Sequence, residues 1–304
     1  MARDIRIVFS SDFHGNEIVF RKALNVTKAI KADYLILGGD FAGKGVIIIL
    51  KRGEEYYIGN ESVTKEDIES YQKNGYYIYI SESKEEVNDI ESSNEKIMRL
   101  FYDLAKSQLE RWISLVNEKL KDTKVIWSVG NDDPFIIDDV FKSYKIEFEG
   151  LTEIDSSSSP LMVISYGFTN QTPYKSFRVV PEYTIYNKGI ELLNKVIINT
   201  KNIILNFHVP PYNTKLDNAY INGRWVHVGS TSLRELIERY NPLLGLHGHI
   251  HESSGIDSIN GTVLINPGSL YFENILKYAV ITIRKNVESF SVKYKIVNKG
   301  IYQG

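Results

Sequence analysis

Short apolar runs bounded by glycine and small polar residues recur along the chain and predict buried strands at 5–10, 33–37, 125–129, 161–165, 203–207, 243–246 and 262–265. Between the first two, Ile18, Val19, Leu24, Val26 and Ile30 recur at helical spacing, so a helix is expected from Asn16 to about Ile30. A strand, helix, strand opening implies a parallel pair with a right-handed crossover. The stretch from 43 to 122 follows another pattern. Apolar or aromatic runs at 46–50, 54–58 and 76–80 predict strands, with a short helix between Thr64 and Asn74-Gly75. Ser83-Lys84-Glu85-Glu86 has the form of a capping box and opens a helical region reaching about Leu120. Within it Val87, Ile90, Ile97, Phe101, Trp112 and Val116 make a core-facing stripe. Further helices are expected from Pro181 to about Val196, and from a cap at Ser232 to Asn241-Pro242. The serines of 156–159 predict an exposed turn. The final strands are expected near 278–283 and 289–296. We expect one domain over residues 1–304, with an insertion at about 43–122 near the rim of a site.

The chemistry-bearing residues gather just after the predicted strands. Asp12 and His14 follow the first, Gly39-Asp40 the second, Gly130-Asn131-Asp132-Asp133 the run at 125–129, and His208 the run at 203–207. The run at 243–246 opens into His247-Gly248-His249-Ile250-His251, which holds three of the six histidines in the chain. Open α/β sheets place ligands at the carboxyl ends of their strands. Imidazoles and carboxylates collected there have no packing role, whereas they are ordinary ligands for divalent metals.

Composition narrows the chemistry. The 304 residues are 43% hydrophobic and 24% charged, ordinary for a globular chain, and their net charge of -2 argues against a broad nucleic-acid footprint. The chain has no cysteine, so a metal must be held by His, Asp, Asn or Glu. Met1-Ala2-Arg3-Asp4 runs straight into a strand without a signal-peptide core, and no apolar run approaches transmembrane length. A cytoplasmic protein with no membrane partner is the expectation.

The series Asp12-x-His14, Gly39-Asp40, Gly130-Asn131-x-Asp133, His208 and Gly248-His249-x-His251 resembles the calcineurin-like metallophosphoesterase family, in the family's order and over nearly the whole chain. The segments 40–50, 208–216 and 243–252 also resemble an uncharacterised archaeal and bacterial branch of that family. The resemblance implies an α/β fold, a four-layer αββα sandwich of two mixed β-sheets flanked by helices. It further implies two divalent ions, one on Asp12, His14 and His251 and the other on Asn131, His208 and His249, with Asp40 bridging. Manganese, iron, zinc, nickel and cobalt all suit such oxygen and nitrogen ligands. The implied reaction is hydrolysis of phosphomono- or phosphodiesters by a bridging hydroxide attacking in line. Asp12, Asp40, Asn131, Asp132 and His208 would line the reaction site. A small phosphoester is favoured as substrate; a nuclease of the same superfamily is the alternative, and a non-catalytic scaffold is disfavoured because the ligand set is complete.

One position departs from the family pattern. Where members commonly carry Gly-Asn-His followed by an acid, this chain has Asp132 in place of the histidine credited with assisting the leaving group. Two histidines lie outside the implied ligand set. His247 is expected to orient a ligand from behind, and His227 to be an ordinary hydrogen-bonded histidine.

Overall fold

A computed structural model describes residues 3–155, 159–196, 200–288 and 291–304. Most of the predicted serine turn, residues 156–158, and the start of the last predicted strand lie outside them. Two central sheets face one another. The first has the order β17-β16-β1-β2-β7, from β1 (Arg3–Ser10), β2 (Tyr34–Leu37), β7 (Lys124–Ile126), β16 (Lys277–Glu288) and β17 (Ser291–Gln303). The second runs β14-β15-β13-β10-β9-β8, from β8 (Gly150–Asp155), β9 (Leu161–Tyr166), β10 (Ile203–Phe207), β13 (Leu244–Leu246), β14 (Gly255–Ile259) and β15 (Thr262–Asn266). Strands β1, β2 and β7 are mutually parallel, as are β9, β10, β13 and β15; antiparallel strands close both edges of the second sheet and one edge of the first, whose other edge is the parallel β7.

Both faces of the central strands β2, β9, β10, β13 and β15 are buried, which is why they read as continuous apolar runs. Ile5, Ile7, Phe9 and Ile36 share one core with Val163, Ile204, Leu246 and Ile265 of the other sheet. The alternate residues Val8, Leu35 and Leu37 face outward onto α1 (Glu17–Ile30), α4 (Asn94–Lys119) and α5 (Ile136–Ser143), through Phe20, Leu24, Trp112, Ile113 and Phe141. Trp112 is fully buried and stacks on Phe20 with centroids 4.0 Å apart. On the far side, Ile164, Ile203, Leu205 and Leu264 meet α6 (Glu182–Asn194) and α7 (Thr231–Tyr240) through Ile185, Leu192, Leu233 and Leu236. Helices, sheet, sheet and helices therefore form the four expected layers.

A third sheet of order β5-β4-β3-β6 stands apart from this sandwich. It comprises β3 (Gly45–Arg52), β4 (Glu55–Ile58), β5 (Glu61–Val63) and β6 (Tyr76–Ser81), with α2 (Lys65–Lys73) connecting β5 to β6. Ile48, Leu50 and Val87 form a small core of its own, joined by Tyr57, Tyr79 and Ile90. The helical region expected over 83–120 is two helices, α3 (Lys84–Glu91) and α4. Ser93 breaks it, because its hydroxyl accepts from the Lys96 amide and starts a new helix. Only half of the expected capping box at Ser83 forms: Ser83 accepts from the Glu86 amide, but the Glu86 carboxylate turns to Tyr79 and Ser81. The core-facing stripe divides as well. Val87 and Ile90 belong to the small core, whereas Phe101, Leu109, Trp112 and Val116 belong to the sandwich.

Two other local expectations shift. The cap of α7 is Ser230, whose hydroxyl accepts from the Leu233 amide, and Ser232 instead bonds to Glu182 from inside the first turn. A hairpin of β11 (Asn218–Ile221) and β12 (Arg224–His227) lies where no strand is expected from the pattern. Among the described residues no helix is long and apolar enough to cross a membrane.

Candidate metal centre

The parallel registers bring the carboxyl ends of β1, β2, β7, β10 and β13 to one edge of the sandwich, and the loops leaving them are knitted together. The amides of Phe13 and His14 both donate to the Asp40 carbonyl at 2.9 Å, and that of Gly248 donates to the His208 carbonyl at 3.0 Å. Asp12, His14, Asp40 and His249 adopt positive φ values of 61°, 42°, 55° and 68°. A left-handed backbone costs a residue with a side chain on the order of 1 kcal/mol. Four such residues in one place are held there by the surrounding bonds, which suits a functional site better than a passive loop. Close approach adds a second constraint. A methyl group on Gly130 would lie 2.2 Å from Asp40 Oδ1, and one on Gly248 would lie 2.3 Å from Asp12 Oδ2.

Both acids face two histidines. Asp40 Oδ2 lies 3.2 Å from His208 Nε2 and 3.7 Å from His14 Nε2, while Asp12 Oδ1 lies 3.3 Å from His251 Nε2 and 3.8 Å from His208 Nε2. His14 Nε2 and His251 Nε2 are 3.0 Å apart. Asp12, His14 and His251 form one cluster able to hold an ion; Asp12, Asp40 and His208 form another, and His14, Asp40 and Asp132 a third. His249 stands beside His208 with ring centroids 5.5 Å apart, and its amide donates to Asp12 Oδ1 at 3.0 Å.

The electrostatics follow from burial. Desolvation lowers the pKa of His14 to about 3 and that of His249 to about 4, so both are neutral imidazoles with a free lone pair. For His208 desolvation acts in the same direction, but the Asp40 and Asp12 carboxylates outweigh it and push the pKa up to about 10. Burial alone would raise Asp12 and Asp40; the histidines hold both carboxyls low, Asp40 at about 2. Negative charge therefore persists at the centre of the cluster.

The donor atoms fit a metal. His208 Nδ1 donates to the Gly38 carbonyl at 2.8 Å, which leaves Nε2 as the ring atom that faces the two acids; with the pKa at about 10 a proton sits there too, and a bound cation would displace it. His208 Nε2 and Asn131 Oδ1 are buried without a hydrogen-bond partner. Asn131 is oriented from behind, its Nδ2 donating to Asp132 Oδ1 at 2.8 Å and to Ser176 Oγ at 3.0 Å. Ser176 Oγ donates in turn to Asp132 Oδ1 at 2.8 Å. An amide oxygen left unpaired beside two buried carboxylates marks a place where a cation fits.

Some supporting residues, such as Asp133, belong to the motifs, and others, such as Ser176 and Arg178, have no signature in the sequence pattern. Asp133 takes four backbone amides, those of Asp40 and Gly130 on Oδ2 and those of Phe41 and Ala42 on Oδ1, at 2.8–3.0 Å. Burial and the Asp40 charge push its pKa up to about 7, and the amide bonds oppose that rise. Arg178 is buried and anchors the loop after β7 through the carbonyls of Asp133 and Pro134 and the carboxylate of Asp138. The amides of Phe177 and Arg178 both donate to the Asn131 carbonyl. Asp132 keeps a third of its side chain exposed, and its Oδ2 lies 3.9 Å from His14 Nδ1. Burial and the Asp40 charge raise its pKa to about 6. His247 bonds through Nδ1 to the Phe207 carbonyl at 2.9 Å, one residue before His208, and burial lowers its pKa to about 4. His227, partly exposed, bonds to the buried Asp217 at 2.8 Å.

Comparison with known proteins gives an independent view. The family model for calcineurin-like phosphoesterases matches residues 5–253. An uncharacterised protein of Methanocaldococcus jannaschii is 36% identical over 147 residues, which make up 47% of this chain and 63% of that relative. The match thus spans less than two thirds of the relative's length. Among solved structures, the calcineurin-like phosphoesterase YfkN from Bacillus subtilis shares the fold with a TM-score of 0.50 at 11% identity, covering 100% of this chain and 91% of that one. Another solved structure reaches a TM-score of 0.58 at 16% identity, covering 97% of this chain and 100% of the other.

Proposed function

The chain belongs to the calcineurin-like phosphoesterase family, a family of phosphoester hydrolases, and on that premise we propose that it hydrolyses small phosphomono- or phosphodiesters with two divalent metal ions. The observation that carries this reading is the position of the two buried acids, each between histidines of both implied ligand sets. Asp12, His14 and His251 would hold one ion and Asn131, His208 and His249 the other, with Asp40 shared. Two ions there would supply Lewis-acid charge to the phosphate oxygens and lower the pKa of a water.

The protein's own part is positioning. The Gly38 carbonyl keeps His208 in the tautomer that offers Nε2, and Asp132 with Ser176 turns the Asn131 carbonyl oxygen toward the site. Desolvation keeps His14 and His249 neutral and able to donate a lone pair. Asp132 stands where the family's leaving-group histidine would be, and with Oδ1 engaged by two donors it acts by orienting Asn131 rather than as a proton donor.

Metal analysis of purified protein should find close to two divalent ions per chain. Asp40→Ala should abolish metal-dependent hydrolysis of p-nitrophenyl phosphate and of bis-p-nitrophenyl phosphate. Activity at the wild-type level in that variant would sink the two-metal reading.

A further inference from the structure

Asp12, Asp40 and Asp132 gather three carboxylates around a site whose substrate is itself an anion, and a cation stands on the third-sheet side of that group. Lys44 lies in the turn between Asp40 and β3. The turn is pinned: the Lys44 amide donates to the Gly75 carbonyl at 2.7 Å, and the Gly43 amide donates to the Tyr77 hydroxyl at 2.9 Å. The Lys44 ammonium lies 5.1 Å from the centroid of the Tyr271 ring. Tyr271 is buried, and its ring sits 4.7 Å from that of His14 and 5.8 Å from that of His251. Those rings belong to the cluster just described, so one tyrosine touches both the site and the lysine.

The environment of Lys44 suits a group that meets a substrate. Its partner within the protein is a phenol; among the described residues it forms no salt bridge with a carboxylate. Partial desolvation lowers its pKa, but Tyr271 and the charges of Asp132 and Asp40 outweigh that and leave it raised, so the ammonium is charged and feels both acids. Side-chain exposure leaves it free to approach a ligand, since Lys44 is exposed although its neighbours Phe41, Ala42 and Gly43 are buried.

We propose that Lys44 is a substrate-binding residue, its ammonium pairing with a non-bridging phosphate oxygen on the side where Asp132 would otherwise repel it, and that Tyr271 is the positioning residue that holds it there. This inference rests on the hydrolase reading above. A phosphomonoester dianion places more charge against that ammonium than a diester monoanion does, so the site selects for monoesters.

The test compares wild type with Lys44→Ala, Lys44→Arg and Tyr271→Phe on p-nitrophenyl phosphate and bis-p-nitrophenyl phosphate. Loss of one charge-assisted hydrogen bond should raise KM for the monoester about 10- to 100-fold in Lys44→Ala, with kcat little changed. The rise for the diester should be several times smaller. Inhibition by inorganic phosphate should weaken in parallel, Lys44→Arg should restore most of it, and Tyr271→Phe should fall between. Metal content should match wild type in every variant. A KM for both esters within twofold of wild type in Lys44→Ala, or equal rises for both, would overturn the proposal. So would a loss of bound metal that accounts for the change. If wild type hydrolyses neither ester with metal loaded, the hydrolase reading itself fails, which is a different outcome from an active wild type indifferent to Lys44.

Discussion

Replacing Arg178 with methionine keeps most of the side-chain volume but removes the guanidinium that ties the loop after β7 to the rest of the sandwich. In the native protein Nε donates to the Asp133 carbonyl at 2.9 Å, and the terminal nitrogens reach Asp138 at 2.5 and 3.4 Å and the Pro134 carbonyl at 3.4 Å. The charge also lies 4.6 Å from the Phe135 ring centroid and 5.8 Å from that of Phe168. Methionine would leave two buried carbonyls and a largely buried carboxylate without their donor. Removing one partner of a buried pair costs about 3–5 kcal/mol, a large fraction of the 5–15 kcal/mol typical of a folded domain. Because Phe177 and Arg178 hold the Asn131 carbonyl through their amides, the same change should loosen Asn131 and weaken metal binding, by roughly tenfold on the scale seen for groups that orient ligands. Urea unfolding followed by circular dichroism, with metal-free and metal-loaded protein, would measure the first effect, and calorimetric metal titration the second. Arg178→Lys should recover less than half of the stability, because an ammonium cannot reach two carbonyls and a carboxylate as the planar fork does. If the methionine variant unfolds within about 1 kcal/mol of wild type, or the lysine variant matches wild type, the anchoring argument is wrong.

Two further outcomes follow from the same geometry. His247 is neutral in the folded state, with its pKa lowered to about 4 against about 6.5 in the unfolded chain, so its contribution is fully present above about pH 6.5 and is lost as pH falls toward 4. On metal-free protein, the stability gap between wild type and His247→Asn should change by roughly 2–3 kcal/mol between about pH 7.5 and pH 4.5, and a gap independent of pH would refute this assignment. For Asp132, a series of esters of graded leaving-group pKa should show a steep decline in rate for poor leaving groups, flattening in Asp132→His; a shallow dependence in wild type would mean that the proton comes from elsewhere.

How much of this was readable from the chain depends on the distance over which each feature is determined. Most strands of the two central sheets were legible because burial on both faces leaves uninterrupted apolar runs, and the opening β1, α1, β2 unit was legible from its change of period; β8 and β14, at the edges of the second sheet, were not read, because they are only partly buried and carry polar residues. The break at Ser93 was harder to see, since a stripe of apolar residues runs through it and only the hydroxyl bond to Lys96 reveals a new helix start. The β11–β12 hairpin was missed because its residues are mostly exposed and lack a buried alternation, although Asn222-Gly223 at its tip is a turn signal that could have located it. The helix cap moved from Ser232 to Ser230 because two serines two residues apart compete, and the choice is made by Glu182, which bonds to Ser230, Thr231 and Ser232 from another helix.

For the site the division is similar. Asp12, His14, Asp40, Asn131, His208, His249 and His251 each follow a strand, and one parallel edge is enough to bring such residues together. Their order along the chain therefore determined the membership of the cluster. Which lone pairs are free, and which way each ring and amide turns, was decided by contacts between segments far apart in sequence: Gly38 with His208, Ser176 with Asn131 and Asp132, Arg178 with Asp138, and Tyr271 with His14. Ser176, Arg178, Lys44 and Tyr271 are ordinary residue types at unremarkable spacings. They became parts of the site only when folding brought their loops against it, because a hydrogen bond or a charge acts over a few ångströms of space and is indifferent to the number of residues between its partners.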